Sequence, residues 1–175
     1  MFKGKHILVL IVMTIGGYSV LAAGAICPVP SYSDNPTHLD SLPDVFMIGQ
    51  NELLYEGLVT KCNYPLLTVC QDSMDLAYTK WMEMLSNMED FAEQSEFDIK
   101  GIKIWLNVFW DEDGNIDHLV YFPKPNSRNM DFSQLTKFFY KFIESYKMDK
   151  LSSKCYSHYG SATFPTFADL YLGDK

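Results

Sequence analysis

The histidines, cysteines and clustered carboxylates are the residues that could do chemistry. Three histidines, His38, His118 and His158, follow the N-terminal segment, and general acid–base work would need one of them within hydrogen-bond reach of a nucleophile. No serine or cysteine sits in a G-x-S-x-G type elbow. His118 follows Asp117 within a strand-like run, where alternation aims neighbouring side chains at opposite faces, so a direct Asp–His relay is not expected. Asp111, Asp113, Gly114, Asn115 and Asp117 resemble part of a calcium loop. Placing Gly114 at loop position 6 puts Phe109 at position 1 and Val120 at position 12, and neither can ligate. The cluster reads instead as a solvated hairpin tip. The cysteines lack the C-x-x-C or H-x-x-x-H spacing of zinc sites. The expectation is no catalytic residue, no metal and no cofactor.

The most unusual polar stretch is Lys124-Pro125-Asn126-Ser127-Arg128-Asn129, a loop that mixes charge with amides. Loops on rigid scaffolds carry function, so Lys124, Asn126, Ser127, Arg128 and Asn129 are candidate binding residues. The competing reading gives Asn126 and Ser127 to side-chain turns and pairs Arg128 with Asp131.

The elements that would position these residues follow from periodicity. Ser73 or Asp72 can cap a helix over about 73–93, in which Met74, Ala77, Tyr78, Trp81, Leu85, Met88 and Ala92 recur at steps of three and four. In 102–110, Ile102, Ile104, Leu106, Val108 and Trp110 alternate with Lys103, Trp105, Asn107 and Phe109, a strand period. Asp111 to Gly114 signals a hairpin turn, and 115–122 is the return strand, ended by Pro123 and Pro125. A tight two-residue loop pairs Leu119 with Val108, whereas a bulged loop pairs Ile116 with Trp110. Asp131 and Gln134 open a helix over 131–146, with Phe132, Leu135, Phe138, Phe139, Phe142 and Tyr146 as its buried stripe. A last strand is expected over 155–163, stopped by Pro165. A short helix should start near Asn51, although 45–72 could also contribute a strand. The fold class expected is α+β: a small antiparallel sheet of about three strands, with the helices 73–93 and 131–146 on one face.

Residues 1–25 have the form of a cleavable signal peptide. Lys3 and Lys5 precede an apolar run from Ile7 to Ile15, and Ala23-Gly24-Ala25 suits signal peptidase. Residues 26–45, with Pro28, Pro30, Pro36 and Pro43, read as an extended arm, 46–167 as a single domain and 168–175 as a tail. The chain has 175 residues, 47% of them hydrophobic, enough for a core, and a net charge of −8. Losing residues 1–25 takes away Lys3 and Lys5 and no acid, leaving a net of −10 from 12 basic and 22 acidic groups. Such a charge argues against nucleic acid and anionic membranes as partners. The location expected is the periplasm or the exterior. There Cys27, Cys62, Cys70 and Cys155 would form disulfides, of three possible pairings. Closeness in sequence favours Cys62–Cys70 with Cys27–Cys155.

The order helix, strand, D-x-D-G turn, strand, helix, strand resembles the C-terminal domain of TonB-type energy transducers. Ala92 matches the family's helix end, Gly101 the glycine before the strand, and Leu106, Val108 and Trp110 the strand's inward set. Asp113-Gly114 matches the turn, Ile116 and Leu119 the return strand, and Ser127 the loop; residues 153–167 would be the last strand. The match covers about residues 80–167. An arm of about 20 residues gains only about 3.3–3.6 Å per residue, too little to cross a periplasm. The resemblance therefore implies an exported, non-enzymatic domain that binds another protein or peptide segment through the sheet edge near 155–163, at Tyr159, Ser161 and Ala162. The alternatives are a membrane-anchored transducer-like protein that retains residues 7–23, and a small histidine-dependent hydrolase.

Overall fold

A computed structural model describes residues 42–173; the signal segment, Cys27 and most of the arm lie outside the described residues. The element order is β1 (Val45–Met47), α1 (Glu52–Lys61), β2 (Tyr64–Pro65), α2 (Leu66–Val69), α3 (Met74–Gln94), β3 (Lys103–Trp110), β4 (Ile116–Pro123), α4 (Phe132–Ser145), β5 (Tyr156–Thr163) and α5 (Asp169–Leu172). The class is α+β, but the sheet is not the expected three-stranded antiparallel one. It has five strands in the order β1-β4-β3-β5-β2, and it is mixed. β1 runs parallel to β4, from Val45 opposite Leu119 to Met47 opposite Tyr121, and β2 runs parallel to β5, Tyr64 opposite Tyr156. Both added strands are too short to show a period of two, so they escape pattern reading.

The centre is antiparallel. β3 pairs along its length with β5 and with β4. Both anticipated registers occur together: Val108 faces Leu119 and Trp110 faces Ile116. A bulge between Phe109 and Trp110 reconciles them by leaving Asp117 as the extra residue. Asp111 holds the turn. Its carboxylate accepts the amides of Asp113 (2.8 Å) and Asn115 (2.9 Å) and the side-chain amide of Asn115 (2.8 Å). Gly114 has φ +88°, and a Cβ there would collide with the Met148 carbonyl, so a side chain is excluded twice over.

One face of the sheet carries Ile104, Leu106, Val108, Trp110, Leu119, Tyr121, Tyr156 and Ala162, all at 0–1% exposure. α3 and α4 cover it. Ser73 caps α3 by accepting the Leu76 amide, and Asp131 caps α4 by accepting the Ser133 amide. In α3 the buried set keeps Ala77, Trp81, Leu85, Met88 and Ala92, while Met74 and Tyr78 are exposed. Trp81 packs against β5 at Gly160, where a Cβ would stand 2.8 Å from its ring. The helices are not confined to this face. α1 packs on the opposite one, burying Leu58 and Cys62 against Phe46, Phe109 and Val120.

The disulfide joins Cys62 to Cys155, with Cα atoms 5.0 Å apart, and Cys70 is buried with no disulfide partner among the described residues. The expected Cys62–Cys70 pairing is therefore wrong, and Cys155 is not available to Cys27. Cys62 ends α1 on the second face, whereas Cys70 points into the main core. A bridge closing 93 residues of chain restricts the unfolded state substantially. We expect the Cys62→Ser, Cys155→Ser double variant to lose about 3–5 kcal/mol in urea unfolding. A non-reduced digest should yield the Cys62–Cys155 cross-linked peptide, with Cys70 alkylated only after unfolding. Alkylation of native Cys70 would contradict this arrangement.

Candidate functional site

α1 covers only part of the second face, and the remainder is an exposed aromatic strip. Odd-numbered residues of β3 and β5 and even-numbered residues of β4 after the bulge share this face. Across it, Phe122, Trp105 and Ser161 form one row of opposed residues, and Val120, Asn107 and Tyr159 the next. Trp105, Phe122 and Tyr159 are 38%, 45% and 55% exposed, an unusual loss for three large rings on one patch. Trp105 and Tyr159 stack with centroids 5.7 Å apart and planes within 10°. Lys124, just past the end of β4, lays its ammonium 4.4 Å above the Trp105 ring and donates to the Ser161 hydroxyl. Its charge is thus carried across β3 to β5. Lys103 belongs to the same row as Lys124, two residues before Trp105. Lys103 on β3 and Lys124 just past β4 are the charged side chains on these rows among the described residues, both positive on a chain of net charge −8.

Asn107 marks where α1 stops. It is 7% exposed and donates to the Tyr55 hydroxyl at 2.8 Å, while its Oδ1 is buried without a partner. Beyond it the face is open.

The backbone edge adjoins this strip. β2 covers only Tyr156 and Ser157, so from His158 to Thr163 β5 has no strand on its outer side among the described residues. In an antiparallel pair successive residues direct their amide and carbonyl to alternate sides. The Phe164 amide donates to the carbonyl of Ile102, just before β3, a phase that aims even-numbered β5 residues inward and Tyr159, Ser161 and Thr163 outward. These three also place their side chains on the aromatic face.

The structure therefore brings together Lys124, Tyr159 and Ser161 from the expected set. Ala162 does not join them, because it points into the core and bonds toward β3. Ser127 and Arg128 are used internally. The Ser127 hydroxyl accepts the Lys103 amide at 2.9 Å, and the Arg128 amide donates to the Gly101 carbonyl at 2.9 Å. The Arg128 guanidinium pairs with Asp98, not Asp131, and so holds the Asp98 carboxyl below its usual range, helped by the Lys100 amide. Asn126 and Asn129 are exposed beside them. Trp105 and Phe122 were missed. Their signal was present: aromatic rings in the phase of β3 and β4 that also holds Lys103 and His118.

Among the described residues the other chemistries find no assembled site. The Asp117–His118 pair does approach, at 3.7 Å, because the bulge at Asp117 breaks strict alternation. His118 otherwise meets the Pro43 carbonyl at 3.3 Å, which orients no nucleophile. His158 packs 4.5 Å from Trp81, and burial lowers its pKa. Burial raises the Cys70 thiol, against the pull of Lys80. A cleft of about 630 Å³ runs along Glu89, Asp90, Glu93, Asp98 and Lys100, but Glu89 is engaged by Thr166 and Asp98 by Arg128.

Asp111 offers a pH test of the hairpin tip. Burial raises its carboxyl, but the bonds from Asn115, Asp113 and Gly114 outweigh it, and the net shift is downward. A depressed carboxylate contributes stability that is full above its unfolded value and is lost as pH falls through the folded one. Asp111→Ala should cost about 1–2 kcal/mol at pH 7, and the deficit should shrink as urea unfolding is repeated from pH 4 toward 2. A deficit that stays constant would show the turn does not depend on the charge.

No family model matches the chain, and no curated protein and no solved structure matches it either.

Proposed function

We propose that the chain is an exported, non-enzymatic protein-interaction domain, similar to the TonB C-terminal domain in the order of its elements, that binds a partner segment along the outer edge of β5. One observation carries this reading: Tyr159, Ser161 and Thr163 turn both their backbone hydrogen-bonding groups outward and their side chains onto an exposed face. An unpaired edge of this kind is a template for strand addition, in which the main chain supplies affinity and alternate side chains supply selectivity. The Cys62–Cys155 bridge supports an oxidising compartment, since such bonds are rare in reducing ones.

Proline substitutions separate edge from interior. Ser161→Pro removes an outward amide and should leave the melting temperature within a few degrees of the parent. Ala162→Pro removes an inward amide and a fully buried contact, and should unfold the domain. Short peptides selected for binding from a random display library should protect the Ser161 and Thr163 amides from hydrogen exchange. Their binding should vanish in Ser161→Pro. Peptides that bind Ser161→Pro as well as the parent, or protect amides elsewhere, would sink the edge reading.

A further inference from the structure

Resting on that edge, we propose that the segment it accepts is acidic, with a carboxylate and an aromatic ring two residues apart on the side that faces Trp105 and Tyr159. A strand added beside β5 repeats every second residue on one face, at about 6.6–6.8 Å. Two of its side chains then fall beside Tyr159 and Ser161. The position beside Ser161 meets the Lys124 ammonium, which is held there by the Trp105 ring and the Ser161 hydroxyl. A carboxylate is the group that completes this ammonium's bonding, and a lysine or arginine is the group it repels. The position beside Tyr159 meets the stacked Trp105–Tyr159 pair, which favours a ring at offset-stacked or edge distances. Charge complementarity selects the partner's sign: this open half presents lysines on a chain that is acidic elsewhere.

Trp105 supplies the readout, because Trp81 and Trp110 are buried at 6% and 0% exposure. The experiment titrates the full chain with three short peptides on one β-forming background. They carry Asp and Phe, Asn and Phe, or Lys and Phe two positions apart, and tryptophan emission is followed. The Asp peptide should bind tightest, the Asn peptide about three- to fivefold weaker and the Lys peptide about tenfold weaker. High salt should narrow the spread. Lys124→Met should bring the Asp and Asn peptides to equal affinity without abolishing either, and Lys124→Arg should restore the difference. Equal binding of all three peptides, lost in Ser161→Pro, would overturn the acidic preference while leaving the edge reading in place. Binding unaffected by Ser161→Pro would overturn the edge reading itself and this inference with it, as would the absence of binding by any of the three. Polygalacturonate quenching Trp105 more tightly than the Asp peptide would assign the face to an acidic glycan instead and equally overturn the proposal.

Discussion

β3 must satisfy two edges and two faces at once, and the rest of the molecule is arranged around that requirement. Both its edges are paired, with β4 and with β5, and the Lys103 amide at its start goes to the Ser127 hydroxyl. Its even-numbered side chains are fully buried under α3 and α4. Its odd-numbered side chains are Lys103, Trp105, Asn107 and Phe109, which run from charged to fully buried along a single strand. That gradient fixes where the second face can be sealed. Phe109 needs cover, and α1 supplies it with Leu58 and Tyr55, whose ring meets Phe109 edge-on at 6.3 Å. Lys103 needs water. The transition falls at Asn107, which spends one side of its amide on Tyr55.

The disulfide belongs to the same constraint. α1 is short and has a glycine in its interior, so its own helical preference is weak. It stays on the sheet because Phe46 and Val120 take its apolar side and because Cys62 is tied to Cys155 at the start of β5. The covalent anchor stands at the covered end of the second face, and the aromatic strip begins where that cover ends. α1 turns Glu52, Leu53, Glu56 and Val59 outward, so its apolar cover of the sheet comes from Tyr55 and Leu58.

The parts legible in the sequence are those governed by local periods. The two long helices, their caps and the hairpin turn depend on residues within a few positions of one another, and Ser73, Asp131 and Asp111 all act as their types indicate. β1 and β2 were not legible, because three and two residues carry no period and their parallel pairings are set by distant chain. The bridge is hidden from the sequence for a related reason. Cys62 and Cys70 are neighbours in sequence, but β2 and α2 between them carry the chain from one face of the sheet to the other. At the site, the polar loop marks Lys124 and the expected edge strand marks Tyr159 and Ser161, whereas Trp105 and Phe122 read as ordinary strand formers. Their phase is shared with Lys103 but also with the buried Phe109 and Val120, so it takes the end of α1's cover to separate them.

Lys124 also bears on which strands the edge can refuse. An unpaired edge beside exposed rings invites pairing with another copy of itself, and lysines on edges are a common defence. An antiparallel self-pairing centred near Ser161 would bring two Lys124 ammonium groups toward each other, with no carboxylate on the open rows of β3, β4 or β5 to separate them. The same ammonium that opposes self-association attracts a carboxylate. Specificity is a difference between partners, and one charge placed over one ring acts on both terms of it. Defence against aggregation and preference for an acidic segment are therefore not competing explanations of Lys124, because the same electrostatic contact produces each.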